Sequence, residues 1–181
     1  MRPHLKYLKH DLLVAPVGEG MLVLLAGAIG WAVHAPLLFT SLGPTVYELI
    51  ERPTSNSART YNIIVGHLAG LGAGFFGLWL VHAWTTPKVS ASGVVASPRL
   101  WAAVVAVALT TLVTLALRAG QPASLSTALL VSLGSMQTGR DAVAIAAGVL
   151  LIAAVGAPIR RRRARAARQS ESLLRGAKVK T

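Results

Sequence analysis

The residues of this chain best placed to do chemistry are hydroxyls and glycines inside apolar sequence. Residues 35–51, APLLFTSLGPTVYELIE, carry Thr40, Ser41, Gly43 and Thr45 in a run broken by Gly43-Pro44. Residues 121–136, QPASLSTALLVSLGSM, carry Gln121, Ser124, Thr127, Ser132 and Gly134. The two runs share a plan. Each has a proline near its start (Pro36, Pro122), a hydroxyl-dotted apolar stretch, and a Ser-Leu-Gly triplet at 41–43 or 132–134. Short apolar segments interrupted by Gly or Pro at matching places in two halves point to a transporter's substrate site. A half-helix that begins inside a membrane offers free N–H groups carrying about half a positive charge, which hold an anion without a full cation. The hydroxyls add groups that donate or accept. On this basis 40–45 form one wall of a binding site, and 121–127 with 132–134 form the other. The plainer alternative is that each hydroxyl satisfies its own helix or a neighbouring one, and that the triplet match is chance.

One further side chain belongs with these. In residues 61–84, Gly66, Gly70 and Gly74 stand four apart on one helical stripe, where small residues let helix backbones approach. At 100° per residue His67 lies about 60° from Gly70 and about 20° from Gly74, so it faces protein rather than lipid. A histidine there serves as a substrate ligand or proton carrier, or as a structural bond between helices.

The elements that position these groups follow from hydropathy. Only 13% of the 181 residues are charged and 54% are hydrophobic, with mean hydropathy +0.59. Soluble domains carry roughly 25% charged residues. The charges collect at the ends and in connectors, so the chain reads as an all-α polytopic membrane protein. Four full spans are expected: one within 12–39, then 61–84, 100–117 and 142–159. In the first, the register decides whether Glu19 lies inside the membrane or at its edge, and the edge is preferred. The polar connectors are 51–60 and 85–99. The two short segments are read as broken or re-entrant pieces, giving a two-fold internal repeat with halves at about 12–84 and 100–159. Broken backbone is tolerated at membrane depth only where protein or a wet cavity surrounds it. Residues 1–11 form a basic leader and 160–181 a basic tail.

The net charge of +12 raises nucleic acid as a partner, but the charge flanks the spans, where the positive-inside rule expects it. With four crossings, 14 of the 18 Lys and Arg share a side with both termini; with six crossings, 15 do. Both termini are therefore expected in the cytoplasm, with anionic lipid headgroups as the tail's partner. The absence of cysteine excludes disulfides and thiolate metal sites. No nucleotide loop, GxSxG or His/Glu pair at helical spacing is present, so no catalytic residue, cofactor or metal is expected.

The blocks SLGPTVYELIERP, RTYNIIVGHLAGLGAGFF and QPASLSTALLVSLG, in this order and spacing, resemble the HPP family of integral membrane proteins over residues 36–158. The resemblance implies four transmembrane segments and, from cyanobacterial and chloroplast members, a role in nitrite transport. It implies a bacterial inner-membrane protein. The chain departs from the family where the His-Pro-Pro motif is expected, and has Gln121-Pro122-Ala123 there. Glutamine still donates a hydrogen bond but does not titrate near neutral pH. His34, two residues before Pro36, is the conceivable substitute. The expected function is a transporter or channel for a small monovalent anion such as nitrite, its site between the two Ser-Leu-Gly segments, in a homo-oligomer. The competing reading is a structural or regulatory membrane protein that oligomerises through its glycine stripe.

Overall fold

A computed structural model describes residues 3–178, with side chains placed over 12–170 and at Ser172. The side chains of the basic leader and of Leu173-Leu174 lie outside the described residues. The order is α1 (Pro3–Ala32), α2 (Leu42–Glu51), α3 (Thr60–Leu80), α4 (Val89–Ser92), α5 (Ser97–Ala116), α6 (Ala123–Ser132) and α7 (Gly139–Lys178), with a 3-10 turn at Ala83–Thr85. Among the described residues there is no strand. Four helices are long and apolar enough to cross a membrane: Leu12–Ala32, Thr60–Leu80, Ser97–Ala116 and Gly139–Ser170. The protein is thus an all-helical, polytopic membrane protein. The first of them, Leu12–Ala32, includes Glu19. Only 17% of its apolar window is covered by protein, so α1 lies at the rim.

The two short helices have ten residues each, about 15 Å, or half a hydrocarbon core. Their contacts fix the direction in which each runs. Gly30 and Gly27 of α1 face Leu37 and Leu38, whereas Gly18 faces Ile50. The segment 37–50 therefore runs the length of α1 in the opposite sense. Gly66, Gly70 and Gly74 of α3 face Gln121, Ser124 and Val131, so α6 runs parallel to α3. Each of α2 and α6 is a short, broken helical segment set between two long helices, as its length and its Gly or Pro content lead one to expect. A non-helical lead-in, 33–41 or 117–122, precedes each short helix.

Each half is long helix, short helix, long helix, and the three helices of one half run in the opposite sense to those of the other: an inverted repeat. The long helices that open the halves stop in the same way. His34 (φ 53°) and Arg118 (φ 50°) adopt the left-handed conformation. Ala35 N–H then donates to Gly30 O at 2.9 Å, and Ala119 N–H to Thr114 O at 2.8 Å. This bond pattern closes a helix by satisfying a last-turn carbonyl. The Ser-Leu-Gly triplets, by contrast, fall at opposite ends of their helices: 41–43 opens α2 and 132–134 closes α6.

The glycine stripe is used within the chain. A Cβ on Gly66 would lie 2.7 Å from Gln121 Cβ, on Gly70 2.2 Å from Ser124 O, on Gly74 2.7 Å from Val131 Cβ, and on Gly77 2.5 Å from Ala102 O. The stripe packs α3 against α6 and α5, which removes it as the surface through which copies of the chain would oligomerise.

Candidate functional site

The N-terminal parts of α2 and α6 pass each other against α3, and His67 stands between them. His67 lies about 10 Å along α3 from Thr60. Its Nε2 is 2.8 Å from Thr45 Oγ1 and its Nδ1 is 2.7 Å from Thr127 Oγ1. Thr127 Oγ1 is in turn 2.8 Å from Ser41 Oγ. All four side chains are 0% exposed. One residue of α3 is thus bonded to a hydroxyl of each short helix.

A neutral imidazole donates from one nitrogen and accepts at the other. With the proton on Nε2, every donor has an acceptor. Ser41 O–H donates to Thr127, Thr127 O–H donates to Nδ1, Nε2–H donates to Thr45, and Thr45 O–H donates to Ser41 O at 3.1 Å. The other tautomer is satisfied as well: Nδ1–H donates to Thr127, Thr45 O–H donates to Nε2, Thr127 O–H donates to Ala123 O at 3.4 Å, and Ser41 O–H still donates to Thr127. The Nε2–H form uses the shorter bonds, 3.1 Å or less throughout, against 3.4 Å at Ala123 O in the other.

The contrast with α5 shows what is special here. Thr110 and Thr114 are also buried, but they donate to Ala106 O and Thr110 O of their own helix, at 2.6 and 2.8 Å. There the hydroxyls do satisfy their own backbone. Ser41 stands at the N-cap of α2 yet makes no side-chain cap bond; its hydroxyl crosses to α6 instead.

Next to this cluster lies the start of α6. Ser124 Oγ donates to Gln121 O at 2.6 Å, and Ala123 N–H reaches Gln121 Oε1 at 3.5 Å. Gln121 is 4% exposed and its Nε2 is buried without a partner. Asn62 donates to Gly120 O at 3.2 Å and Tyr61 to Leu117 O at 3.0 Å, which ties the lead-in of α6 to the start of α3.

Of the residues singled out in the sequence, Ser41, Thr45, His67 and Thr127 form one bonded network, with Gln121 and Ser124 at the adjoining helix start. Thr40 and Gly43 are exposed. Ser132 and Gly134 sit at the far end of α6, about 7 Å or more beyond Thr127 along the helix. His34 ends α1, where its carbonyl accepts from Arg140. Glu19, partly buried, has Glu51 and Arg163 as charged neighbours, at the level where α2 ends.

Two buried charged residues escaped the sequence reading. Glu48 lies one turn after Thr45 on α2, is 8% exposed, and has an Oε2 without a partner. The signal was its spacing of three from Thr45 and seven from Ser41, which puts all three on one face. Arg99 read as a connector charge beside Pro98. It is 0% exposed and closes the far end of α6. Its guanidinium donates to Thr86 O (2.6 Å), Gln137 Oε1 (2.8 Å), Ser132 O (3.2 Å) and Pro87 O (3.4 Å). A cation is favoured where helix carbonyls are unsatisfied. Gly134, at φ 87°, leaves room for it: a Cβ there would stand 2.8 Å from Arg99 Cζ. Arg99→Met is expected to lower stability by about 3 kcal/mol, because it strands buried acceptors. A fall in the thermal midpoint of the purified protein, with no such fall for Arg162→Met at the surface, checks this.

No curated protein and no solved structure matches the chain. The family described as "HPP, transmembrane region" matches residues 4–168, nearly the whole sequence. With its spans, its paired short helices and this match, the chain belongs to the HPP family of transmembrane proteins.

Proposed function

We propose that this protein moves a small monovalent anion across the membrane, nitrite in the first instance, along a path that opens between α2 and α6 at His67. The observation that carries this is the single network joining both short helices to one histidine inside the span. Hydroxyls, an imidazole N–H and two half-helix N-termini are neutral donors suited to an anion whose charge is small and whose hydration must be replaced. The four groups bond one another with no exposed surface, which corresponds to a closed state. Parting of the short helices would free the same donors for the ion. Inverted repeats that meet at such a site are the architecture of alternating access.

The positive-inside rule orients the molecule. The ends of the chain, the 52–59 connector and Arg118 lie on one side and hold 15 of the 18 Lys and Arg, so that side is cytoplasmic in a bacterial inner membrane. The small size of the chain favours a homo-oligomer, through faces other than the glycine stripe.

Flux from proteoliposomes tests the proposal: nitrite inside, with nitrate, formate and chloride as competitors. Thr127→Val keeps the shape of the side chain and removes its bonds to both Ser41 and His67. Protein-dependent nitrite release is expected, reduced about tenfold or more by Thr127→Val, which is the scale of a lost hydrogen bond worth about 1.4 kcal/mol. No release of any of these anions from folded protein would end the transport reading.

A further inference from the structure

The apolar part of α7 ends at Ile159, and an arginine-rich stretch continues the same helix. There the structure holds an open pocket of about 190 Å³ along α7, lined by Arg160, Arg161, Ala164, Arg165 and Arg168. A single water needs only about 10–15 Å³ measured in this way, so the space takes a polyatomic group. No acidic residue lines it among the described residues. Arg59, from the 52–59 connector, adds its charge to the neighbourhood of Arg160.

The arginines are not all occupied with the protein. Arg160 Nη1 donates to Pro53 O at 3.2 Å, but Arg160 Nε is buried with no partner. A buried guanidinium N–H without an acceptor is costly, and arginine forks match phosphate oxygens in geometry. The cavity also stands where the hydrophobic span gives way to polar sequence, the depth of lipid headgroups.

We propose that this cavity is a binding site for a phosphate group, formed by Arg160, Arg161, Arg165 and Arg168 at the membrane surface. The site is independent of the anion path at His67. It is linked to α2 nonetheless. Arg160 bridges the cavity to Pro53 O, and Arg163, one turn from Arg160, donates to Ile50 O at 2.6 Å, in the last turn of α2. A bound phosphate would therefore hold the arginines that grip the end of that short helix.

A phospholipid headgroup and free phosphate share this chemistry, and two titrations separate them. The purified full chain is melted in detergent with rising phosphatidylglycerol against phosphatidylcholine, and separately with inorganic phosphate or pyrophosphate. A saturable rise in the melting midpoint is expected in at least one arm; the lipid arm identifies a headgroup, the other a soluble phosphate. Arg165→Gln, on the cavity wall, should raise the half-saturating concentration fivefold or more. Arg162→Gln removes the same charge from an exposed position that does not line the cavity, and should change it less than twofold. Equal effects of the two substitutions, or no saturable response in either arm, would overturn the proposal.

Discussion

Gly70→Leu is expected to leave no folded protein: after mild extraction it should run as aggregate, with no cooperative melt. The reason is the identity of the neighbour. A Cβ on Gly70 would lie 2.2 Å from Ser124 O and 3.1 Å from Ser124 C, both backbone atoms of α6. No side chain can swing aside to make room, so α6 itself would have to move. Moving it would also break the Thr127–His67 bond and the Tyr61 and Asn62 ties to 117–120. Overpacking a well-filled interior costs about 1–3 kcal/mol where side chains can adjust, and more where they cannot. Gly72, on the same helix, meets nothing within 4 Å and provides the control. Gly72→Ala should fold normally, with stability unchanged or raised by up to about 1 kcal/mol from helix propensity. Size-exclusion profiles and thermal melts of the two variants decide the matter. A Gly70→Leu protein that simply dissociates to a well-folded smaller species would return the stripe to a subunit interface.

That the stripe packs closely was legible in the sequence; its partner was not. Glycines at i, i+4 and i+8 report that some backbone comes near, and a helix of the same chain satisfies the pattern as well as another subunit does. The same limit applies to the short segments. Their length, their prolines and their hydroxyls were visible, and so was the inward direction of His67. The sense in which each helix runs leaves no mark in a short apolar pattern, because composition reads alike in both directions. The Ser-Leu-Gly triplets therefore looked equivalent, although one opens a helix and the other closes one. Ser41 joins the network at His67 and Ser132 does not for that reason alone. Arg99 was hidden by its position beside Pro98, in a stretch that reads as a connector. Only the fold shows that the connector folds back over the end of α6 and buries the charge.

His67→Leu is expected to abolish anion flux while leaving the protein folded. The separation is possible because the two threonines have fallback acceptors. Thr45 Oγ1 is already 3.1 Å from Ser41 O, and Thr127 Oγ1 is 3.4 Å from Ala123 O. Without the imidazole, each hydroxyl can return to its own helix, as Thr110 and Thr114 do on α5. Leucine fills much of the buried volume. The net loss is two hydrogen bonds between helices, about 1–3 kcal/mol together, which a cooperative membrane bundle survives. Transport is affected differently. His67 bonds a hydroxyl of each short helix; in its absence only the Ser41–Thr127 hydroxyl bond joins the two, and no side chain of the network offers an N–H between them. Flux in proteoliposomes should fall to the level of protein-free vesicles. His67→Gln distinguishes a binding role from a general loss, because an amide keeps one donor and one acceptor and can span part of the same gap. Flux that is partly restored by glutamine, with melts of the two variants within about 1 kcal/mol of each other, would mean that hydrogen bonding at this position carries the ion. Wild-type flux in His67→Leu would mean that the network only ties the halves together and that the path runs elsewhere.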